Sequence, residues 1–409
     1  MSSCAARYHR RSPLHTMRRL SITALIGALL LLTAGCGDQA ELTERAFVMG
    51  MAFDRGEDGK LLLTLQIYKP SQSVAAKGKT GRPYINVRTS GSTVMEAIRD
   101  LTVHVGRKAQ FSHLRSVLIS EKLAREGMMS ELLDIFYRDN EPRLTCSVII
   151  TRGKAGPYLD VAPLIENTVS QQYYLNERVA AKYSGKSVHA SLLKLAIQLR
   201  SASATAMVPY LTQRSEGGAT KPSMAGIAII RDGRMTDKLT GTETEGLLML
   251  DDVYHGGVVE IPCGSQGEGE PSKGTESIEI LQFHTAKSIR IKGESLNVTY
   301  RMHADAAALG LACSHIITSM HEKDLSKKVA DQIKAHATTA LRHLQRSQSD
   351  TLGIGNAIYQ RHPGLWRTWR KDWPERFAKI NVAFEVDVLF ASHGTSGGKP
   401  FLNHPDNEE

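Results

Sequence analysis

The sequence predicts an α+β protein: mixed sheets with packed helices in several domains, and a strand-rich C-terminal domain carrying a long amphipathic helix. Three observations predict it. Period-two alternation marks Ile289, Ile291, Leu296, Val298, Tyr300 and Met302, and again Val382, Phe384, Val386 and Val388. A helical stripe of Leu325, Val329, Ile333, Ala337, Leu341 and Leu344 lies between those strand runs. Elsewhere strands and helices mix without regular β–α–β alternation, and no internal repeat is present. The 409 residues suffice for two or three domains.

Taken in order, Lys60–Tyr68 reads as a strand entered through the turn GEDG. Residues 70–90 form a Ser/Gly/Lys-rich loop. Over 92–107, Val94, Ala97, Ile98 and Leu101 have helical spacing, and Thr93 with Glu96 makes a capping box. HLRSVLIS (113–120) and LTCSVIIT (144–151) read as strands, with one helix expected over 121–137. Segments 158–183 and 187–202 look helical. QRSEGGATKP (213–222) has two glycines, a proline and no apolar period, so the main domain boundary is drawn there. AGIAII, a turn at Asp232-Gly233 and RMTDKLT then read as a hairpin, and Gly293-Glu294 links the two long strands of 277–303. The expected domains are 36–213 and 222–393, followed by a polar tail, 394–409, expected to be disordered.

The net charge of +9 looks at first like that of a nucleic-acid binder. However, Arg7, Arg10, Arg11, Arg18 and Arg19 all precede residue 36, with no acid among them, and without these five the charge is +4. Arg18-Arg19, the apolar run Leu20–Leu32 and the small residues Thr33-Ala34-Gly35 have the layout of a secretory signal, residues 1–35, with Met17 the cleaner start. The run is shorter than the ~20 residues of a spanning helix. Cys36 follows immediately, as in a bacterial lipobox, where the cysteine is lipidated and becomes the new N-terminus; Thr33 stands where leucine is usual. One hydrocarbon chain binds a membrane marginally, whereas two or more, as the diacylglycerol modification supplies, hold firmly.

Among the other cysteines, Cys4 leaves with the signal. Cys146, Cys263 and Cys313 are too far apart for a CxxC or zinc pattern. The apolar runs around Cys146 and Cys313 make both read as buried small residues, although an exported protein permits one disulfide among the three. Catalytic mimics fail individually. Ser191-x-x-Lys194 and Lys79-Thr80-Gly81 occur in the wrong order and lack SDN. Ser184-Gly185-Lys186-Ser187 has Ala180 where a P-loop needs its first glycine. His321-Glu322 has no second histidine, and Asp251-Asp252 reads as a turn. No enzyme, cofactor or metal is expected.

One cluster invites a functional reading. Trp366, Trp369 and Trp373, the only tryptophans, share a helical face flanked by Arg367, Arg370 and Lys371. Aromatic and basic residues together suit a membrane interface or a protein partner; alternatively the three rings pack this helix onto the last sheet. Nucleic acid is not an expected partner of an exported protein.

Read through, the chain strongly resembles the Ger(x)C family, the lipoprotein C subunits of spore nutrient germinant receptors. The resemblance covers nearly all of the chain after the signal. It rests on Cys36-Gly37-Asp38, Val48-Met49-Gly50-Met51-Ala52-Phe53-Asp54, the segment 90–127 continued by LLDIFYRDNEPRLTCSVIITRGKA, LTGTETEGLLMLDDVYHGG (239–257) and SDTLGIGNAIYQRHPGLWRTWRKDW (349–373). Gly37 replaces the family tryptophan and Ala52 the second glycine of the early strand. The resemblance implies a non-catalytic subunit lipidated at Cys36, on the outer face of the spore inner membrane. It would act with a large partly membrane-embedded A subunit and a multispanning B subunit in nutrient-triggered germination. The alternative reading is a substrate-binding lipoprotein of a membrane transporter.

Overall fold

The computed structural model describes residues 17–18, 21–24, 44–69, 81–216, 219–263, 274–314, 316 and 318–392. Two compact units divide the chain, Met1–Arg45 and Ala46–Glu409, and the architecture below is that of the second. Cys36, the rest of the lipobox and the tail 394–409 lie outside the described residues.

The first half opens with strands β1 (Arg45–Arg55), β2 (Leu61–Tyr68) and β3 (Tyr84–Gly91). In the GEDG turn Asp58 accepts the Lys60 N–H at 3.1 Å, and Gly59 takes φ 80°, open to glycine without strain. Helix α1 (Val94–Val105) starts where Thr93 accepts the Glu96 N–H. The Glu96 carboxylate reaches Ser92 N rather than the Thr93 N–H, so the expected reciprocal box is displaced by one residue. After β4 (Lys108–Gln110) and β5 (Ser116–Ser120), the single helix expected over 121–137 is two, α2 (Glu121–Glu126) and α3 (Met129–Arg138). Gly127, at φ 86°, ends the first in the left-handed conformation that glycine favours. Then come β6 (Ser147–Thr151), α4 (Gly156–Asp160), α5 (Val169–Tyr183) and α6 (Leu192–Leu199). The helical stretch expected over 158–183 is therefore interrupted by residues 161–168.

The expected break at 213–222 is paired instead: β7 (Thr205–Glu216) and β8 (Ala219–Ser223) form an antiparallel ladder from Thr212–Ser223 to Glu216–Ala219. Backbone hydrogen bonds alone make such a ladder, so a polar arm leaves no apolar period to read. β9 (Ile227–Arg231) and β10 (Arg234–Leu239) continue the same sheet, whose order is β10-β9-β7-β6-β5-β1-β2-β3, with β4 on β1 and β8 on β7. The β1–β5, β5–β6 and β6–β7 pairs are parallel; β1–β2, β2–β3, β7–β9 and β9–β10 are antiparallel.

Beyond helix α7 (Gly241–Leu250), β11 (Gly257–Pro262), β12 (Thr275–Lys292) and β13 (Ser295–Gly310) lead into the long helix α8 (Ser319–Arg346). Short helices α9 (Ile354–Arg361), α10 (Pro363–Trp369) and α11 (Trp373–Ala378) precede β14 (Asn381–Ser392). The second sheet has the order β11-β12-β13-β14, and β14 returns parallel to β13.

Both faces of the central strands are buried, which is why they read as apolar runs. In β9, Ala228 and Ile230 join the core beneath α1, α2, α3 and α6, whereas Ile227 and Ile229 join the core built by α7, α8 and the second sheet. A third cluster lies under α4 and α5. Helix α7 thus shares a core with both sheets. It lies against α8 so closely that a Cβ on Gly246 would stand 2.2 Å from the His336 carbonyl oxygen.

Candidate functional site

The strand signature beginning at Val48 forms a structural staple. A Cβ on Gly50 would lie 1.8 Å from Ser170 Oγ, so glycine is what lets α5 start against β1. Ser170 in turn donates its hydroxyl (2.8 Å) and N–H (3.1 Å) to buried Gln66. Asp54 ends the signature, and its two carboxylate oxygens accept the N–H groups of Ala155 and Gly156 at 2.7 Å each. Ala52, at the glycine departure, is fully buried in the third cluster.

The tryptophan segment breaks into α10 and α11, and its three rings face inward. Trp366, Trp369 and Trp373 are 6%, 2% and 4% exposed and join the core built on the second sheet; Arg367 and Arg370 stay exposed. Asp350 organises the cluster. It accepts Ile354 N–H (3.0 Å), Gly355 N–H (2.7 Å) and Trp373 Nε1–H (3.1 Å). Burial raises the carboxyl above its ordinary pKa, and these three hydrogen bonds oppose the rise. Trp366 and Trp373 meet edge to face at 5.3 Å. Arg376 lies over Trp369 (4.7 Å) and pairs with Glu294 at the β12–β13 turn (2.6 Å), fastening the helical cap to the hairpin.

Cysteine chemistry departs from expectation at Cys313, which is exposed and disulfide-bonded to Cys263. Glu276 stands beside the pair, donor atoms within 4.8 Å. Its carboxylate accepts Ser314 N–H at 2.6 Å, and the joined sulfurs offer no thiolates to a metal. Apolar context at Cys313 concealed the bond, which is set by β12–β13 pairing that brings Gly310 opposite Ser277. Cys146 is free and buried, its thiol pushed up by burial.

Catalytic mimics serve as structure. Ser191 is the N-cap of α6, accepting Lys194 N–H at 3.2 Å. Asp251 ends α7 through its backbone N–H, which donates to the Leu247 carbonyl, and burial pushes its carboxyl up to about 6; Asp252 accepts Thr285 N–H at 2.7 Å.

A feature that sequence reading missed lies between α5, α6 and the end of α7: an open groove of about 580 Å³. Arg178, Lys182, His189, Lys194 and His255 line it, and Ala181, Val188, Leu248 and Val253 form its apolar part. Its side chains come from segments some 60 residues apart, so no local motif could announce it. His189 Nδ1 stands 2.6 Å from the buried Glu177 carboxylate, which also accepts Ala190 N–H. Burial lowers the Lys194 pKa, with Asp251 and Glu177 acting against that.

Two germination families match in succession. The spore germination protein N-terminal domain matches residues 38–213, and the spore germination B3/GerAC-like C-terminal domain residues 225–394. The chain is 23% identical to spore germination protein YndF of Bacillus subtilis (strain 168), over 92% of this chain and 98% of that one. It is 24% identical to spore germination protein B3 of the same strain, over 93% and 100%. The crystal structure of the GerBC protein superposes with a TM-score of 0.51 at 19% identity, covering 87% of this chain and all of that one. The matches therefore span both halves of the α+β body in order, and the chain belongs to the Ger(x)C family of spore germination proteins.

Proposed function

We propose that this chain is a lipid-anchored, non-catalytic subunit of a spore germinant receptor complex, required for nutrient-triggered germination. The observation that carries the reading is order: the two germination families follow one another along the chain, and Cys36 of the lipobox-like run stands two residues before the first of them. On this reading residues 1–35 are a lipoprotein signal and Cys36 the tethered N-terminus. Residues 36–213 and 222–393 are the two germination domains, and 394–409 a tail. The body would stand on the outer face of the spore inner membrane, with A and B subunits as partners and Arg367 and Arg370 available for contact. Among the described residues no helix is long and apolar enough to cross a membrane, which accords with a lipid anchor.

The absence of a catalytic role is supported by the structural employment of the Ser191 and Asp252 side chains. Against a transporter's substrate-binding lipoprotein stands the unlikeness of the two halves. That architecture needs two similar α/β lobes, whereas here a ten-stranded mixed sheet is joined to a four-stranded one.

The test is Cys36→Ala in spores. The variant is expected to move from the detergent-rich to the aqueous phase on partition and to slow nutrient-triggered germination. Retention in the detergent-rich phase would count against lipid anchoring; normal germination by a released variant would count against a tethered role.

A further inference from the structure

The groove between α5, α6 and α7 carries three basic side chains, Arg178, Lys182 and Lys194, and two histidines. Among the described residues none of these three cations makes an ion pair; Arg178 lies over Tyr174 (4.4 Å) and Lys182 over Tyr183 (4.8 Å). Cations gathered around one concavity repel each other and focus a positive potential into it. Of the two acids that act on Lys194, Glu177 already holds His189 and the Ala190 N–H, and burial holds the Asp251 carboxyl above the ordinary carboxylate range, which weakens its negative charge.

A second observation points the same way. Ser187 lines the groove, is fully buried, and its hydroxyl has no hydrogen-bond partner among the described residues. A buried hydroxyl without a partner costs free energy that an acceptor beside it would recover. The rest of the lining is apolar: Val188 and Leu248 are buried and Val253 half-buried. Such a mixture, a few convergent polar groups over an apolar floor at the junction of two domains, is the make-up of a small-molecule site.

The geometry points to a binding site for a small organic anion, with a phosphate or carboxylate group held by Arg178, Lys182, Lys194 and the Ser187 hydroxyl and an apolar body resting on Val188, Leu248 and Val253. Its cations come from the region matched by the N-terminal germination family and part of its floor from the C-terminal one. A bound anion therefore touches both and favours the arrangement in which they meet as seen here.

Titration of the full-length chain in detergent with phenyl phosphate, inorganic phosphate and benzyl alcohol, followed by calorimetry, tests this. Expected is saturable one-to-one binding of phenyl phosphate, weaker binding of inorganic phosphate and none of the alcohol. Lys194→Met and Arg178→Met are each expected to weaken phenyl phosphate binding by about tenfold or more, with far-ultraviolet circular dichroism unchanged. Lys186→Met, an exposed lysine outside the groove lining, is expected to bind as the parent does. Absence of saturable binding, equal binding of the alcohol, or undiminished binding by both groove variants while folded would overturn the assignment.

Discussion

The indole Nε1–H of Trp373 donates to the buried carboxylate of Asp350 at 3.1 Å, and Gly355 is packed between that indole and Trp366. A Cβ on Gly355 would stand 2.7 Å from Trp373 Nε1 and 2.8 Å from the edge of Trp366. The four residues are one device: the carboxylate fixes the start of α9, the glycine admits the rings, and the rings close the core under the second sheet. Replacing Trp366 by Ala should therefore cost about 3–5 kcal/mol, the range for a large buried aromatic, while co-purification with receptor partners persists at temperatures where the variant is folded. A melting temperature that held while partner capture failed would move the tryptophans from core to interface.

The contact between α7 and α8 should be equally intolerant. In Gly246→Ala the added carbon meets main chain, the His336 carbonyl, rather than the free end of a side chain. The helices must separate, and overpacking of this kind costs about 1–3 kcal/mol. Chemical denaturation should show a lower midpoint with an unchanged slope. Gly364→Ala, where an added Cβ meets nothing within 4 Å, serves as the control.

Legibility in the sequence followed the range of the interactions. The stripe from Leu325 to Leu344 and the alternation through β13 and β14 were readable because burial on one face imposes a period on the chain itself. Polar β7–β8 pairing was not, since its ladder is made by backbone groups that every residue carries. The split at Gly127 was signalled only by a glycine, which an amphipathic pattern on both sides outweighed. Site chemistry was the least readable. Asp54, Asp350 and Ser187 matter through partners or surroundings far along the chain or absent from it, and the basic groove exists only once α7 has been laid beside α5 and α6.

The Cys263–Cys313 bond closes a loop with a sequence separation of 50 around the β12–β13 hairpin. Loop-closure entropy for that span gives about 4 kcal/mol, with about 2–5 typical when a native bridge is removed. Cys263→Ser with Cys313→Ser should lower the melting temperature, and dithiothreitol should lower that of the parent but not of the double variant. Equal sensitivity of the two proteins to reductant would show that the bond contributes nothing.

Finally, His343 predicts how stability depends on pH. It stands near the end of α8 with Nδ1 2.7 Å from Glu243, at the start of α7, and Nε2 2.8 Å from Asp237 on β10. Both neighbours accept, and a neutral imidazole has only one N–H, so only the protonated ring satisfies both. Burial works against that charge, but the hydrogen bonds to Glu243 and Asp237 prevail, raising the His343 pKa above its ordinary 6.5. For Glu243 burial likewise opposes the charged form, and the bonds from His343 and Thr240 hold its pKa below the ordinary 4.5. The histidine's contribution is complete below the unfolded-state value of about 6.5 and is lost as pH rises through the higher folded value. That of the glutamate is complete above about 4.5 and is lost as pH falls through its lower folded value. The clip is therefore strongest between those limits. His343→Gln should lose about 1.5–3 kcal/mol there, the range for hydrogen bonds to charged groups, and the deficit should shrink steadily above neutrality. Denaturation midpoints of parent and variant measured from pH 5 to 9 check this: a deficit that stays constant or grows with pH would show that the pair of contacts does not depend on the imidazolium.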